Sequence, residues 1–171
     1  MKHILSAICC LALVSIPVLA QKPAAMSDQK FLDVAAQTDM VEAHLGKLAQ
    51  DSADKQPVKD YAQMLVSDHT QDFGKLQALA SQTGLTMPNA IDAEHNKSMI
   101  GPFHAVKGAA FDHKYIHDMI AGHTEALALY KKEAHDAENP EIRAYAEETI
   151  PTLQKHLDGA KALEQGKTPA M

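Results

Sequence analysis

Four ionisable side chains fall where a helix would bury them. Glu42 lies four residues after Thr38 and three before Leu45, and His69 lies four after Leu65 and four before Phe73. His123 stands midway between Met119 and Leu127, while His156 follows Leu153 by three and precedes Ala160 by four. Steps of three and four return to the same helical face, so each of these groups interrupts an apolar stripe and points inward. Three neutral imidazoles and a carboxylate form a donor set suited to zinc, iron, copper or manganese. The same groups could instead satisfy one another as a metal-free polar layer, with Tyr61, Tyr115 and Tyr145 as further partners. Burying them with neither kind of partner would cost several kcal/mol.

Whether they meet depends on the helices that carry them. Ser27 caps a first helix whose buried face runs from Phe31 through Val34, Ala35, Thr38, Leu45, Leu48 and Ala49 to about Ala53. Pro57 opens a second helix, with Val58, Tyr61, Ala62, Leu65, Phe73, Leu76 and Leu79 inward, and Gly84 ends it. A third carries Phe111, Tyr115, Met119, Ala126, Leu127, Tyr130 and Ala134 and ends near Asn139. Pro140 opens a fourth, with Ile142, Tyr145, Ala146, Thr149, Leu153, Ala160 and Leu163 inward and a bend expected at Pro151. At about 1.5 Å per residue, Glu42 and His69 both lie roughly 18 to 20 Å from the first turn, and His123 and His156 roughly 21 to 24 Å from the last. One layer at mid-bundle is the expectation.

Between residues 84 and 108 the helical pattern weakens around Pro88, Gly101, Pro102 and Gly108, leaving room for one short helix from Asp92 to Ile100. The start of the second helix, Pro57-Val58-Lys59-Asp60-Tyr61-Ala62, also matches Pro140-Glu141-Ile142-Arg143-Ala144-Tyr145-Ala146 at the start of the fourth. Two related hairpins joined by a long connection describe an all-α, ferritin-like antiparallel four-helix bundle whose second and third helices are linked by a crossover containing a short helix. A simple up-down-up-down bundle with a folded-over loop is the alternative topology. Val66 and Leu153 stand three residues before His69 and His156, so the Glu-x-x-His pairs of di-iron bundles are missing and a ferroxidase centre is not expected.

Other chemistry lacks carriers. Cys9 and Cys10 are the two cysteines, and both fall in a segment with a leader's layout: Lys2, an apolar run from Ile4 to Val14, and Val18-Leu19-Ala20 before a cleavage point. Residues 1–20 are read as a cleaved secretory signal, 21–26 as a linker, 27–165 as the bundle and 166–171 as a disordered tail. Export to the periplasm follows, with no thiol left for a disulfide or a zinc-thiolate site. The apolar run is too short to span a bilayer and no mature helix is continuously apolar. The chain has 16 Lys and Arg against 22 Asp and Glu and no basic run, which makes nucleic acid a poor partner. No phosphate loop or nucleophile motif is present, and no catalytic residue is assigned. His113 and His117, one turn apart but off the apolar stripe, read as solvated, as do His44 and His135; His95 and His104 fall in the crossover. Met40, Met64, Met99 and Met119 read as packing residues, without a Met-x-x-Met cluster. Asp68 and Asp72 flank His69 as candidate supporting groups.

Taken together, Phe31 to Leu48, Tyr61-Ala62, Asp68-His69, Ala93-Glu94-His95, Ala109-Ala110-Phe111-Asp112, Tyr115, Asp118-Met119, His123, Pro151-Thr152-Leu153 and His156 resemble domain-of-unknown-function family 4142, exported bacterial proteins with a ferritin-like fold. The resemblance implies the bundle and crossover, adds His95 as a position to watch, and implies no reaction. Three functions compete: an exported metal-binding bundle using Glu42, His69, His123 and His156; a cell-envelope structural or interaction module with a metal-free polar layer and an exposed apolar patch for a protein partner; and a redox enzyme with a mononuclear centre, which would need an open coordination position and a route for substrate. Oligomeric state is not legible.

Overall fold

A computed structural model describes residues 26–169. The expected leader and the last two residues of the expected tail lie outside the described residues. Helix α1 spans Asp28–Ser52, α2 Gln56–Thr83, α4 Ala109–Asp136 and α5 Pro140–Glu164. The crossover carries one short helical stretch, α3 at Ala93–His95, which continues as a π-turn at Asn96–Ile100 and a 3-10 turn at Gly101–Phe103. The Ser27 hydroxyl accepts from Lys30 N, capping α1 as its position predicts. Gly84 ends α2 with a φ of 69°, a left-handed conformation that glycine adopts without Cβ strain. Helix α5 continues through Pro151.

The chain direction decides between the two topologies. Gly108, at the start of α4, donates its N–H to the Ser52 carbonyl at 2.7 Å, so α4 begins at the end of the bundle where α1 stops and α2 starts. Segment 84–108 therefore runs the length of the bundle, and α4 lies parallel to α2 and antiparallel to α1. This is the ferritin-like crossover. Gly108 adopts φ 62° and ψ −141°, a region reserved for glycine, at the point where the crossover turns into α4.

Each end is fastened by an acid from the opposite hairpin. Buried Asp112 accepts from Asp54 N at 2.9 Å and Lys55 N at 3.0 Å in the α1–α2 turn. At the other end Asp28 accepts from Glu138 N at 3.1 Å and Asn139 N at 2.8 Å in the α4–α5 turn. The repeated sequence thus corresponds to two hairpins that clasp each other reciprocally. After α5 the chain turns back on itself: Lys167 N reaches the Ala162 carbonyl at 2.8 Å, and Pro169 is buried against Gly159.

The apolar interior forms two clusters. One gathers Phe31, Leu76, Leu127, Tyr130, Ile142 and Tyr145; the other gathers Leu45, Leu65, Phe103, Phe111, Tyr115 and Met119. Phe31 meets Tyr130 edge-on at 5.0 Å in the first, and Phe111 stacks on Tyr115 at 5.6 Å in the second. Between the two lies a polar layer.

Candidate metal centre

The layer is built because each helix breaks its stripe at the same height. His69 on α2, His123 on α4 and His156 on α5 are all buried, and one ring nitrogen of each lies within 4.8 Å of the others. The ring centroids are 5.1 to 5.8 Å apart. Helix α1 brings Asp39 and Glu42, also buried, to the edge of this triangle.

Hydrogen bonds fix which nitrogen of each ring is free. His69 Nδ1 donates to Asp39 Oδ1 at 2.8 Å, His123 Nδ1 donates to the Met119 carbonyl at 2.8 Å, and His156 Nε2 donates to Asp68 Oδ2 at 2.9 Å. That leaves His69 Nε2, His123 Nε2 and His156 Nδ1, which are buried and have no hydrogen-bond partner. A metal-ligating histidine usually has this arrangement, with the outer N–H held by a carboxylate or carbonyl and the inner lone pair presented to the ion. A self-satisfied polar layer would not leave three buried acceptors, each costing about 1–3 kcal/mol, facing one another.

Electrostatics point the same way. Burial, together with the neighbouring imidazoles, pulls His123 down to about 3 and His156 to about 4, so both rings are neutral and their lone pairs available at physiological pH. Burial also pulls on His69, but the hydrogen bond and charge of Asp39 and the charges of Glu42 and Asp72 outweigh it and leave His69 raised. The field that favours a proton on His69 also favours a metal cation in its place. Burial raises Glu42 to about 7 and Asp39 to about 6.

The structure brings three of the four candidates together and sets Glu42 beside them. The Glu42 carboxylate is outside the group of donors converging within 4.8 Å, although it acts on the charge of His69 and one of its oxygens, Oε2, is buried without a partner. Of the supporting acids, Asp68 holds His156 and not its chain neighbour His69, and Asp72 accepts from Tyr145 at 2.5 Å. Tyr61 donates to the His156 carbonyl at 2.9 Å, while the Tyr115 hydroxyl has no partner. Asp39, buried and bonded to His69, is the neighbour of the layer that sequence reasoning missed. It stands four after Ala35 and three before Glu42, so the periodicity that selected Glu42 also marks it. His44, His104, His113, His117 and His135 are exposed, and His95 is partly exposed with Nδ1 2.8 Å from Asp92.

A profile of the domain of unknown function DUF4142 matches residues 15–163. The chain belongs to this DUF4142 family. None of the curated proteins compared matches it. Among solved structures, this DUF4142 chain is similar to CopM in its Cu(II)-bound form, with 16% identity, a TM-score of 0.62, and coverage of 84% of this chain and 99% of that one. It is similar as well to Ag-bound CopM, at 17% identity and a TM-score of 0.64 over 83% and 98%, and to apo CopM, at 17% and 0.63 over 82% and 98%. At such identities the likeness establishes the shared helical fold. No described helix is long and apolar enough to cross a membrane.

Proposed function

We propose that this DUF4142 protein is exported by a cleaved leader, residues 1–20, and binds one transition-metal ion in the periplasm through His69, His123 and His156, with Glu42 as an adjacent acidic donor. The observation that carries the reading is the set of three buried, unpartnered imidazole nitrogens, each oriented by a bond on its far side. Imidazole donors suit copper, zinc and iron. Structures of CopM with Cu(II), Cu(I) and Ag favour copper or silver among these, since a protein of the same fold is there named with those ions bound. Binding, for storage or protection of the compartment, is the role proposed, with no turnover.

An envelope interaction module would need an apolar face for its partner. Among the described residues the one exposed large hydrophobic side chain is Met99, and a single methionine does not make a docking patch.

Elemental mass spectrometry on mature, untagged protein from its own periplasm tests the proposal, alongside a His69→Ala, His156→Ala double variant. The expected result is about one ion per chain in the wild type and none in the variant. An ion-free wild type that is fully helical and takes up neither copper, silver, zinc, iron nor manganese would overturn it.

A further inference from the structure

A cavity of about 280 Å³ opens beside the histidine layer and is lined by His69 and His156 at its buried end. Its lining includes four carboxylates, Asp39, Asp68, Asp72 and Glu125, and no lysine or arginine. A low-dielectric cleft lined by one sign of charge concentrates the opposite ion, so this cavity draws cations toward the two imidazoles.

Its remaining unusual member is Met99. The π-turn and the 3-10 turn after it bury Ile100 and Phe103, each 1% exposed, and leave Met99 39% exposed on the crossover while still lining the cavity. Phe103 is held between Phe111, at 5.4 Å, and the Lys114 ammonium, 4.5 Å above its ring. The crossover is therefore anchored next to Met99. Packing does not account for an exposed thioether that lines an acidic cavity. Thioether sulfur is a soft donor that selects Cu(I) and its like over harder ions.

We infer that Met99 is the capture ligand of this cavity, taking a soft monovalent ion, Cu(I) or Ag(I), from its donor and passing it inward to His69 and His156. This rests on the metal-binding reading of the histidine layer. The transfer is ligand exchange alone: one metal–sulfur bond gives way to metal–nitrogen bonds and the oxidation state is unchanged. Asp39 and the Asp68–His156 pair lie along the same lining, so the ion passes from a soft neutral donor into a region of negative charge without crossing a basic group.

The test is anaerobic transfer of Cu(I) from its bicinchoninate complex to the mature chain, followed by the loss of the complex's absorbance. Met99→Leu preserves the size and apolar character of the side chain and removes only the sulfur. It is expected to slow transfer about tenfold, a barrier change of ~1.4 kcal/mol, with the final partition of Cu(I) unchanged. Zn(II) uptake should keep its wild-type rate. Met40→Leu, in the separate cavity that Asp39 and His69 also line, should behave as wild type. An unchanged Cu(I) rate in Met99→Leu, an equal slowing of Zn(II), a weakened final affinity, or a slowing in Met40→Leu in its place would each overturn the assignment. Failure of the underlying site looks different: the wild type would draw no Cu(I), or the His69→Ala, His156→Ala variant would draw as much as the wild type.

Discussion

Glu42 stands to destabilise the metal-free protein, and Glu42→Gln measures by how much. Burial raises its carboxyl from 4.5 to about 7, so the folded state holds this proton more tightly than the unfolded chain does. The stability it contributes is fully present below pH 4.5 and is lost as pH rises through 7. At pH 8 the penalty of the ionised form approaches the full shift, about 3 kcal/mol at 1.36 kcal/mol per pH unit. Glutamine resembles the protonated acid and does not titrate, but its buried amide gives back about 1 kcal/mol in imperfect hydrogen bonding. The metal-free variant should therefore be about 2 kcal/mol more stable than wild type at pH 8, or ~6 °C higher in Tm for a domain of this size. By pH 5 the advantage should vanish, because the wild-type carboxyl is then protonated in the folded protein. Thermal unfolding by circular dichroism at the two pH values, in the presence of chelator, gives both numbers. With copper or silver bound, the order should reverse, since the ion supplies the charge that Glu42 lacks. A metal-free variant no more stable than wild type at pH 8 would show that the carboxylate is already satisfied, and would remove it from the proposed site.

Three further outcomes follow from the geometry. A Cβ at Gly159 would meet the Tyr61 ring at 2.8 and 3.1 Å, and Tyr61 cannot swing away without losing its bond to the His156 carbonyl, so Gly159→Ala should cost about 1–3 kcal/mol in urea denaturation. Asp112→Ala removes a buried carboxylate from two half-buried backbone donors of the α1–α2 turn and should cost about 1–2 kcal/mol, against less than about 1 kcal/mol for Asp28→Ala at the more exposed opposite end, as denaturant midpoints would show. Metal binding at pH 6 should release more than one proton, from Glu42, from the raised His69 and in part from Asp39, and fewer at pH 8; calorimetry in buffers of different ionisation enthalpy measures it, and the low values of His123 and His156 mean that neither of those rings contributes.

The sequence made the layer legible because helical periodicity is a strong signal over long segments. His69, His123 and His156 could be placed inward from their neighbours alone, and a rise per residue was enough to put them level. What it did not show were relations across helices. Asp68 is adjacent in sequence to His69, yet it serves His156, because the side chain leaves α2 toward α5. Asp39 was overlooked since an aspartate in a stripe reads as solvated until a facing imidazole is known. The crossover direction was also open, as the length of segment 84–108 suited either topology. The bond from Gly108 to Ser52 settles it.

The two apolar clusters and the layer between them bear on what the site is for. A continuous core of leucine and phenylalanine would hold four helices more firmly than one divided by three imidazoles and two carboxylates, because the polar groups carry desolvation penalties that packing does not return. The reciprocal clasps of Asp28 and Asp112 and the aromatic clusters at each end hold the bundle independently of its centre. The middle layer can then retain unpartnered nitrogens and a raised carboxyl at some cost to stability. A metal ion would convert that cost into binding energy: it would occupy the lone pairs, favour ionised Glu42 and Asp39, and leave the outer hydrogen bonds of the three rings in place.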